Sequence, residues 1–129
     1  MRSREHAEIL LRKADQDIFV LEKLIGDPAS PDEILGFHAQ QAAEKLLKAA
    51  LTNRAVRYGR THDLFELIKL IRQNGMSFPQ ELEEVRRLNP YAAKLRYAES
   101  TSYPPFDRSW APDIVRRLKA WAEAVVRGS

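Results

Sequence analysis

One stretch of the sequence, from Phe37 to Leu51, carries the residues most suited to binding a polar ligand: FHAQQAAEKLLKAAL. In an α-helix, at 100° per residue, four of its polar side chains lie within about 80° of one another. We call them the polar ridge: His38, Gln41, Lys45 and Lys48. A polar flank is also what any amphipathic helix shows, with Glu44 and Lys48 as an ordinary i,i+4 pair. A binding function requires groups from another helix to face the ridge.

A second polar set lies in the segment RAVRYGRTHDL, where His62 follows Arg57 by five positions. Basic side chains beside the free amides of a helix N-terminus can hold a phosphate. The alternative is that His62 is simply a polar residue in a turn. The spacing alone leaves both interpretations open.

A third set combines aromatic and basic residues in NPYAAKLRYAES: Tyr91, Lys94, Arg96 and Tyr97. Aromatic rings can stack on a base, and arginine can bind a phosphate or carboxylate through two hydrogen bonds. Alternatively, Tyr91 continues an apolar stripe into the core and Arg96 binds carbonyls at a helix end. These two interpretations also stay open.

Several kinds of chemistry are disfavoured by composition and motifs. The absence of cysteine excludes disulfides, thiolate metal sites and cysteine nucleophiles. The three histidines have no partner at metal-ligand spacing, so we expect no metal and no cofactor. Asp15 and Asp17 point about 200° apart on a helix and cannot share an ion. The sequence has neither a phosphate-binding GxxxxGK[ST] loop nor the GxSxG nucleophile elbow. Its net charge of +3 is too small to predict nucleic-acid binding.

Hydrophobic periodicity predicts helices throughout and no strand. The first helix carries apolar residues from Ala7 to Ile25 and stops at Gly26-Asp27-Pro28. The second begins near Pro31 or Asp32 and ends at RAVRYGRT. The third is capped by Thr61 or Asp63, the latter with Glu66 as a capping box, and ends at Gly75.

The fourth helix is predicted to start at Pro79 and to keep one apolar register across Pro90. Proline favours a kink or short break there, with Asn89 as the cap of a fresh start. A last helix begins at Pro112 after a proline-rich loop. We therefore predict an all-α, antiparallel, up-and-down four-helix bundle, with a short extra helix accommodated after the Pro90 kink.

The chain shows no linker and no repeat, so we expect a single domain over residues 1–129. No apolar run approaches the roughly 18 residues of a membrane span, and the N-terminus, MRSREHAEILLRKAD, has no hydrophobic signal region. We expect a cytoplasmic protein without membrane contact.

Taken in order, FHAQQAAEKLLKAAL, THDL and LNPYAAKLRYAES resemble the HEPN domain, the higher eukaryotes and prokaryotes nucleotide-binding family. The resemblance spans most of the chain. Its most specific element is the alanine-rich second helix with its Glu-Lys pattern: Ala39, Ala42, Ala43, Glu44, Lys45, Lys48 and Ala49. Asp17 also lies where such proteins tend to carry an acid.

The resemblance implies an antiparallel four-helix bundle, commonly dimeric, similar to the substrate-binding helical part of certain nucleotidyltransferases. Small members of this kind often act with a separate minimal nucleotidyltransferase, in arrangements that look like toxin–antitoxin pairs. The Gly-Ser plus paired-acid signature of the transferase is missing here, so the resemblance implies a non-catalytic role in binding a nucleotide or partner. From the polar sets described above, the residues we predict to bind the nucleotide or partner are Gln41, Lys45, Lys48, His62, Tyr91, Arg96 and Tyr97.

Two alternatives remain. Other HEPN proteins are metal-independent ribonucleases with an arginine followed, after four to six residues, by a histidine late in the domain; no histidine follows Arg96. Arg57 and His62 have this spacing, although earlier in the chain. If they cleaved RNA at a dimer interface, His62 would act as acid and base on the 2′-hydroxyl and Arg57 would stabilise phosphate charge.

The other alternative is a purely structural interaction subunit that docks a partner without any ligand.

Overall fold

The chain folds into a helical bundle, seen in a computed structural model that describes residues 2–92 and 105–128. Within these ranges there is no strand. The elements are α1 (Arg2–Leu24), α2 (Asp32–Asn53), α3 (Leu64–Gln73), the 3₁₀ helix η1 (Gln80–Tyr91) and α4 (Ala111–Arg127). The all-α fold predicted from the sequence is confirmed.

Helix α2 lies at the centre of the bundle and contacts the four other elements. None of residues 34–53 is more than partly exposed to solvent. Five of its buried residues are alanines, whose small side chains let neighbouring helices approach closely: Ala39, Ala42, Ala43, Ala49 and Ala50. A polar residue in the middle of α2 is therefore at most partly exposed, with neighbouring elements close to it.

Helices α1 and α4 each bury one apolar stripe, as their periodicity predicts. The α1 stripe consists of Ala7, Leu11, Ala14, Ile18 and Leu21, and the α4 stripe of Ala111, Ile114, Val115, Leu118, Ala122 and Val126. Arg108, just before α4, fixes the turn between α1 and α2. Its guanidinium donates to the carbonyls of Asp27 at 2.9 Å and Ser30 at 2.6 Å. No described helix is long and apolar enough to cross a membrane.

Helix α3 begins at a cap shared with η1. Asp63 is the N-cap, and its Oδ1 accepts from the amide of Phe65 at 2.9 Å. The Asn89 Oδ1 accepts from the amide of Leu64 at 2.9 Å, and the Asn89 Nδ2 donates to Asp63 at 2.9 Å. The prediction that Asn89 caps a new helix at Pro90 was wrong, because its side chain instead caps α3 across the bundle.

The fourth element is a 3₁₀ helix, where the sequence predicted an α-helix kinked or broken at Pro90. Pro90 lies inside η1. The buried residues Leu82, Val85, Leu88 and Tyr91 recur every three positions. A 3₁₀ helix, with three residues per turn, places these on one line, whereas an α-helix would spread them around its surface. The extra helix expected after Pro90 would lie in 93–104, outside the described residues.

The end of η1 packs against the start of α2 at Gly36. A Cβ atom added to Gly36 would lie 2.2 Å from Cδ1 of Tyr91, so only glycine leaves room for the ring. Phe106 packs edge-on against the same ring, with centroids 5.7 Å apart. These contacts bury Tyr91 in the core.

Candidate functional site

The polar ridge occupies the least covered side of α2. Its four residues are partly exposed, whereas most of the helix is buried. On one side the ridge contacts Asp17 of α1, and on the other it faces Tyr58 and His62 of the connection between α2 and α3. We call the polar ridge, together with Asp17, Tyr58 and His62 beside it, the α2 groove. The sequence left open whether another helix would face the ridge, and in the structure α1 and the connection after α2 both do.

Asp17 joins two ridge residues to α1. Its Oδ1 lies 2.9 Å from Nδ1 of His38, and its Oδ2 accepts from Nζ of Lys45 at 2.5 Å. The carboxylate is largely buried, with 11% of its side chain exposed. An ionised carboxylate can only accept, so Nδ1 of His38 carries the hydrogen and Nε2 is left unprotonated in the neutral ring.

Glu44 organises the other end of the groove. Nζ of Lys48 donates to its Oε2 at 2.8 Å, Nε2 of Gln40 donates to Oε1 at 3.1 Å, and Nδ1 of His62 lies 3.1 Å from Oε1. The Gln40 amide also donates to the carbonyl of His62 at 3.1 Å. This second bond fixes the connection after α2 against the helix, so His62 is held at both its ring and its backbone.

The pKa of Glu44 lies below its ordinary value even though the carboxylate is buried. Burial is the largest influence and acts to raise the pKa. It is outweighed by the hydrogen bonds from Lys48 and Gln40, the positive charge of Lys48 and the hydrogen bond from His62. The carboxylate therefore stays ionised at neutral pH, and Nδ1 of His62 must donate to it, as Nδ1 of His38 donates to Asp17.

The two ends of the groove share one plan, in which a buried carboxylate binds a lysine Nζ and a histidine Nδ1. Asp17 holds Lys45 and His38, and Glu44 holds Lys48 and His62. Gln41 lies between them on the wheel, and its amide donates to Oε1 of Gln40 at 2.8 Å. The arrangement presents fixed lysine and imidazole nitrogens along one strip, as a polar or anionic ligand requires.

The connection after α2 adds further polar groups at the edge of the groove. Tyr58 lies beneath Lys48, with Nζ 5.3 Å from the ring centroid, and its hydroxyl is 3.2 Å from Oγ1 of Thr52. Arg57 and Arg60 are exposed and form no ion pair within residues 2–92 and 105–128. They are additional cations that could meet a negatively charged ligand at the groove's edge.

The structure brings together only part of the residue set proposed from the sequence. Gln41, Lys45, Lys48 and His62 line the α2 groove, together with His38. Tyr91 does not join them: its side of α2, marked by Gly36, is about 160° around the helix from the ridge. Because Tyr91 is only 2% exposed, its ring offers no face for a base, and we leave it out of the site. Arg96 and Tyr97 lie outside the described residues.

Sequence reasoning noted both acids but did not include in the site the residues that hold the ridge in place. Gln40 and Glu44 are buried, and on a helical wheel Gln40 falls between the apolar residues Leu47 and Leu51. A polar residue inside an apolar arc is a usable signal, since it needs a buried partner. Asp17 gave a weaker signal, because it lies at the edge of the α1 stripe.

A family comparison agrees with the motifs that run through this groove. The model of the HEPN domain matches residues 7–127, which include both carboxylate clusters and nearly all of the bundle. No curated protein and no solved structure shows significant similarity to the chain. Since the family match covers almost the whole sequence and the fold is the helical one that the resemblance implied, this chain belongs to the HEPN domain family.

Proposed function

We propose that this HEPN domain is a non-catalytic binding subunit whose α2 groove holds a nucleotide or a nucleotide-bearing partner. The observation that carries the proposal is the pair of buried carboxylates, Asp17 and Glu44, each of which fixes a lysine of α2 and a histidine at its side. Buried ion pairs add little net stability compared with apolar residues of similar size. Here the carboxylates hold the lysine and histidine nitrogens in place, and these nitrogens are the preorganised donors that a binding site needs.

The donors of the groove suit phosphate oxygens. A lysine ammonium has three N–H groups. Lys45 and Lys48 each use one of them on a carboxylate within the described residues, which leaves two for a ligand. Gln41 and Tyr58 add neutral polar groups for a sugar or base. We therefore assign phosphate to the lysines and the uncharged part of the nucleotide to Gln41 and Tyr58.

We further propose that the protein works as a homodimer with a separate minimal nucleotidyltransferase, in a toxin–antitoxin-like pair. Membership of the HEPN family and the absence of a transferase signature from this sequence support a partner role. Size-exclusion chromatography with light scattering, on the chain alone and mixed with a candidate transferase, tests both parts. A monomer that forms no complex would contradict both the homodimer and the transferase partnership. A complex that forms equally well with and without nucleotide would favour the structural-subunit alternative.

The nucleotide assignment is tested by titrating ATP into isotopically labelled protein and following amide resonances. We expect saturable shifts around Gln41, Lys45, Lys48 and His62. Lys45→Met and Lys48→Met should weaken binding at least about tenfold, since each removes a charged hydrogen bond to phosphate. Lys69→Met, which alters an exposed lysine on α3, is the matched control.

Thermal unfolding of each variant establishes that it is folded. Gln41→Ala provides a second probe that leaves both carboxylate clusters intact. Absence of saturable shifts in the native chain at millimolar ATP would overturn the nucleotide assignment.

The ribonuclease alternative is favoured by one specific observation. Glu44 holds Nδ1 of His62, which leaves Nε2 available for proton transfer, as in other carboxylate-oriented histidines. Arg57 precedes it by five residues and is exposed. RNA cleavage that persists in EDTA, survives His6→Asn and disappears in His62→Asn would establish this activity. Equal cleavage by both variants would indicate a contaminating enzyme and reject it.

A further inference from the structure

Helix α1 has an outer face, opposite the stripe that packs into the core. At 100° per residue, six exposed residues of α1 fall within an arc of about 120° on that side. We call them the α1 outer face: Arg2, Ile9, Arg12, Lys13, Phe19 and Lys23. Because all six are exposed, no described element covers this side of the bundle.

Two large apolar side chains of the α1 outer face are exposed to solvent. Phe19 is 62% exposed and Ile9 is 44% exposed, and the other large apolar residue with comparable exposure in the described ranges is Phe65 of α3. A single exposed apolar residue needs no explanation. Phe19 and Ile9 differ from such a residue because they share their helix face with a group of unpaired charges.

The cations of the α1 outer face have no ion-pair partner. None of the four forms a salt bridge with any residue of 2–92 or 105–128: Arg2, Arg12, Lys13 and Lys23. The four cations of α4, in contrast, each pair with an acid: Arg116, Arg117, Lys119 and Arg127. Within the arc of the outer face, α1 carries one acid, Glu5. The face is therefore strongly positive.

Exposed apolar residues among unpaired cations are typical of a protein contact surface. Aromatic residues and arginine are enriched in interfaces, and the charges there face opposite charges on the partner. An acidic partner would supply the counter-charges that the four cations lack, and its contact would remove Phe19 from water. A second copy of this chain is a poor occupant, because a two-fold contact brings the same surface of both copies together and would oppose like charges.

We propose that the α1 outer face docks a partner protein whose contact surface is acidic and has an apolar recess that receives Phe19. The assignment rests on the partner role proposed above. It adds the surface of this chain that meets the partner and the charge that the partner presents. Since none of the six residues belongs to the α2 groove, the partner and the nucleotide bind at different places on the bundle.

The charges and the apolar anchor of this surface should affect different rate constants. Charges at an interface mainly speed association, whereas a buried anchor mainly slows dissociation. The probe is the candidate nucleotidyltransferase used in the chromatography experiment above, and surface plasmon resonance measures both rate constants. We expect Arg12→Glu to lower the association rate constant at low salt and Phe19→Ala to raise the dissociation rate constant.

Helix α3 offers a matched control. Phe19 and Lys23 are an exposed phenylalanine and lysine four residues apart, and so are Phe65 and Lys69 on α3. We expect Phe19→Ala combined with Lys23→Glu to weaken the complex at least about tenfold. Phe65→Ala combined with Lys69→Glu should leave the affinity unchanged. Since all four residues are exposed, thermal unfolding should show both double variants folded.

The two double variants also separate the proposal from its alternatives. A native complex that the α1 double variant leaves unchanged would overturn the docking surface while leaving the partner role in place. A native chain that forms no complex would reject the partner role, and the docking surface with it. Self-association of the native chain that the α1 double variant abolishes would overturn the proposal in favour of a second copy. A short single-stranded RNA that binds the native chain but not this variant, with the transferase complex unchanged, would overturn it in favour of nucleic acid.

Discussion

At the scale of single residues, buried carboxylates decide what the α2 groove can do. Lys45 looks in the sequence like a free cation on a polar flank and Lys48 like half of a surface pair, yet each is bound by an acid with at most 11% of its side chain exposed. The same acids set which nitrogen of each histidine faces outward. The chemistry of the groove therefore depends on Asp17 and Glu44 as much as on the more exposed residues of the polar ridge.

Replacing Glu44 by glutamine should flatten the pH dependence of stability. Because the folded pKa of Glu44 lies below its unfolded value, its contribution is present above the unfolded pKa and is lost as the pH falls through the folded pKa. Between about pH 5 and pH 3 the native chain should lose more unfolding free energy than Glu44→Gln. Urea unfolding across this range measures the difference.

The control for this measurement is Glu66→Gln, which removes an exposed carboxylate on α3. This variant should follow the native chain at every pH. Parallel curves for the native chain and Glu44→Gln would contradict the assignment of a lowered pKa to Glu44.

Gly36→Ala should destabilise the fold, although alanine favours helices. The new Cβ would lie 2.2 Å from the ring of Tyr91, so the ring or the helix must move. Overpacking of this kind costs about 1–3 kcal/mol. Gly26→Ala, where nothing lies within 4 Å and the backbone needs no positive φ, should change stability little. Chemical denaturation of both variants compares them, and equal stabilities would mean that Tyr91 does not pack as described.

At the scale of elements, the α1–α4 contact combines an apolar stripe with a row of ion pairs. Glu8, Asp15 and Glu22 recur every seven residues on α1, which keeps them on one side of the helix. Their partners on α4 run in the opposite direction along the chain: Arg127 at 3.0 Å, Lys119 at 2.8 Å and Arg116 at 2.5 Å. This order fixes the antiparallel alignment of the two helices.

Removing one of these pairs should have a small, salt-dependent effect. The hydrogen bond from Arg116 lowers the pKa of Glu22, but both side chains are more than a third exposed, so solvent screens the pair. We expect Glu22→Gln to cost about 0.2–1 kcal/mol at low salt and nearly nothing at about 1 M salt. Glu5→Gln, an exposed acid on the same helix, is the control. A double-mutant cycle with Arg116→Gln gives the coupling free energy between the two side chains. A coupling free energy that does not depend on salt would contradict an electrostatic origin.

At the scale of the whole molecule, the bundle is organised around α2. This helix packs against all the other elements, whereas η1 uses one face and exposes much of the rest. Such a difference in burial should produce a gradient of local stability. The α2 groove lies on the most buried helix, so we expect the proposed site to change little in shape when a ligand binds.

Hydrogen exchange should reveal this gradient. We expect the slowest backbone amides in the middle of α2 and markedly faster exchange in η1, because 3₁₀ hydrogen bonds have poorer geometry and η1 is more exposed. Mass spectrometry of exchange on the intact chain, followed by proteolysis, compares the two segments. Equal protection of η1 and α2 would contradict the organisation around α2.

The sequence alone was sufficient for the features that depend on local geometry. The period of the apolar residues indicated the helical class and the ends of α1 and α2, and the fixed rotation of 100° per residue placed His38, Gln41, Lys45 and Lys48 on one strip. The spacing of apolar residues also indicated the 3₁₀ helix η1, since Leu82, Val85, Leu88 and Tyr91 recur every three residues. The α-helix predicted there was wrong because short apolar runs fit several helical periods.

By itself, then, the sequence determined the helical fold and the composition of the polar ridge, because both follow from interactions between residues a few positions apart. The Glu44–Lys48 pair is local as well, but only the tertiary structure decided the partners of Asp17 and the contact between Glu44 and His62. Asp17 reaches Lys45 across 28 positions of the chain, and His62 reaches Glu44 across 18. It also decided that Tyr91 lies in the core, against Gly36. Such pairings depend on how whole helices pack, and the spacing of residues within one helix does not predict them.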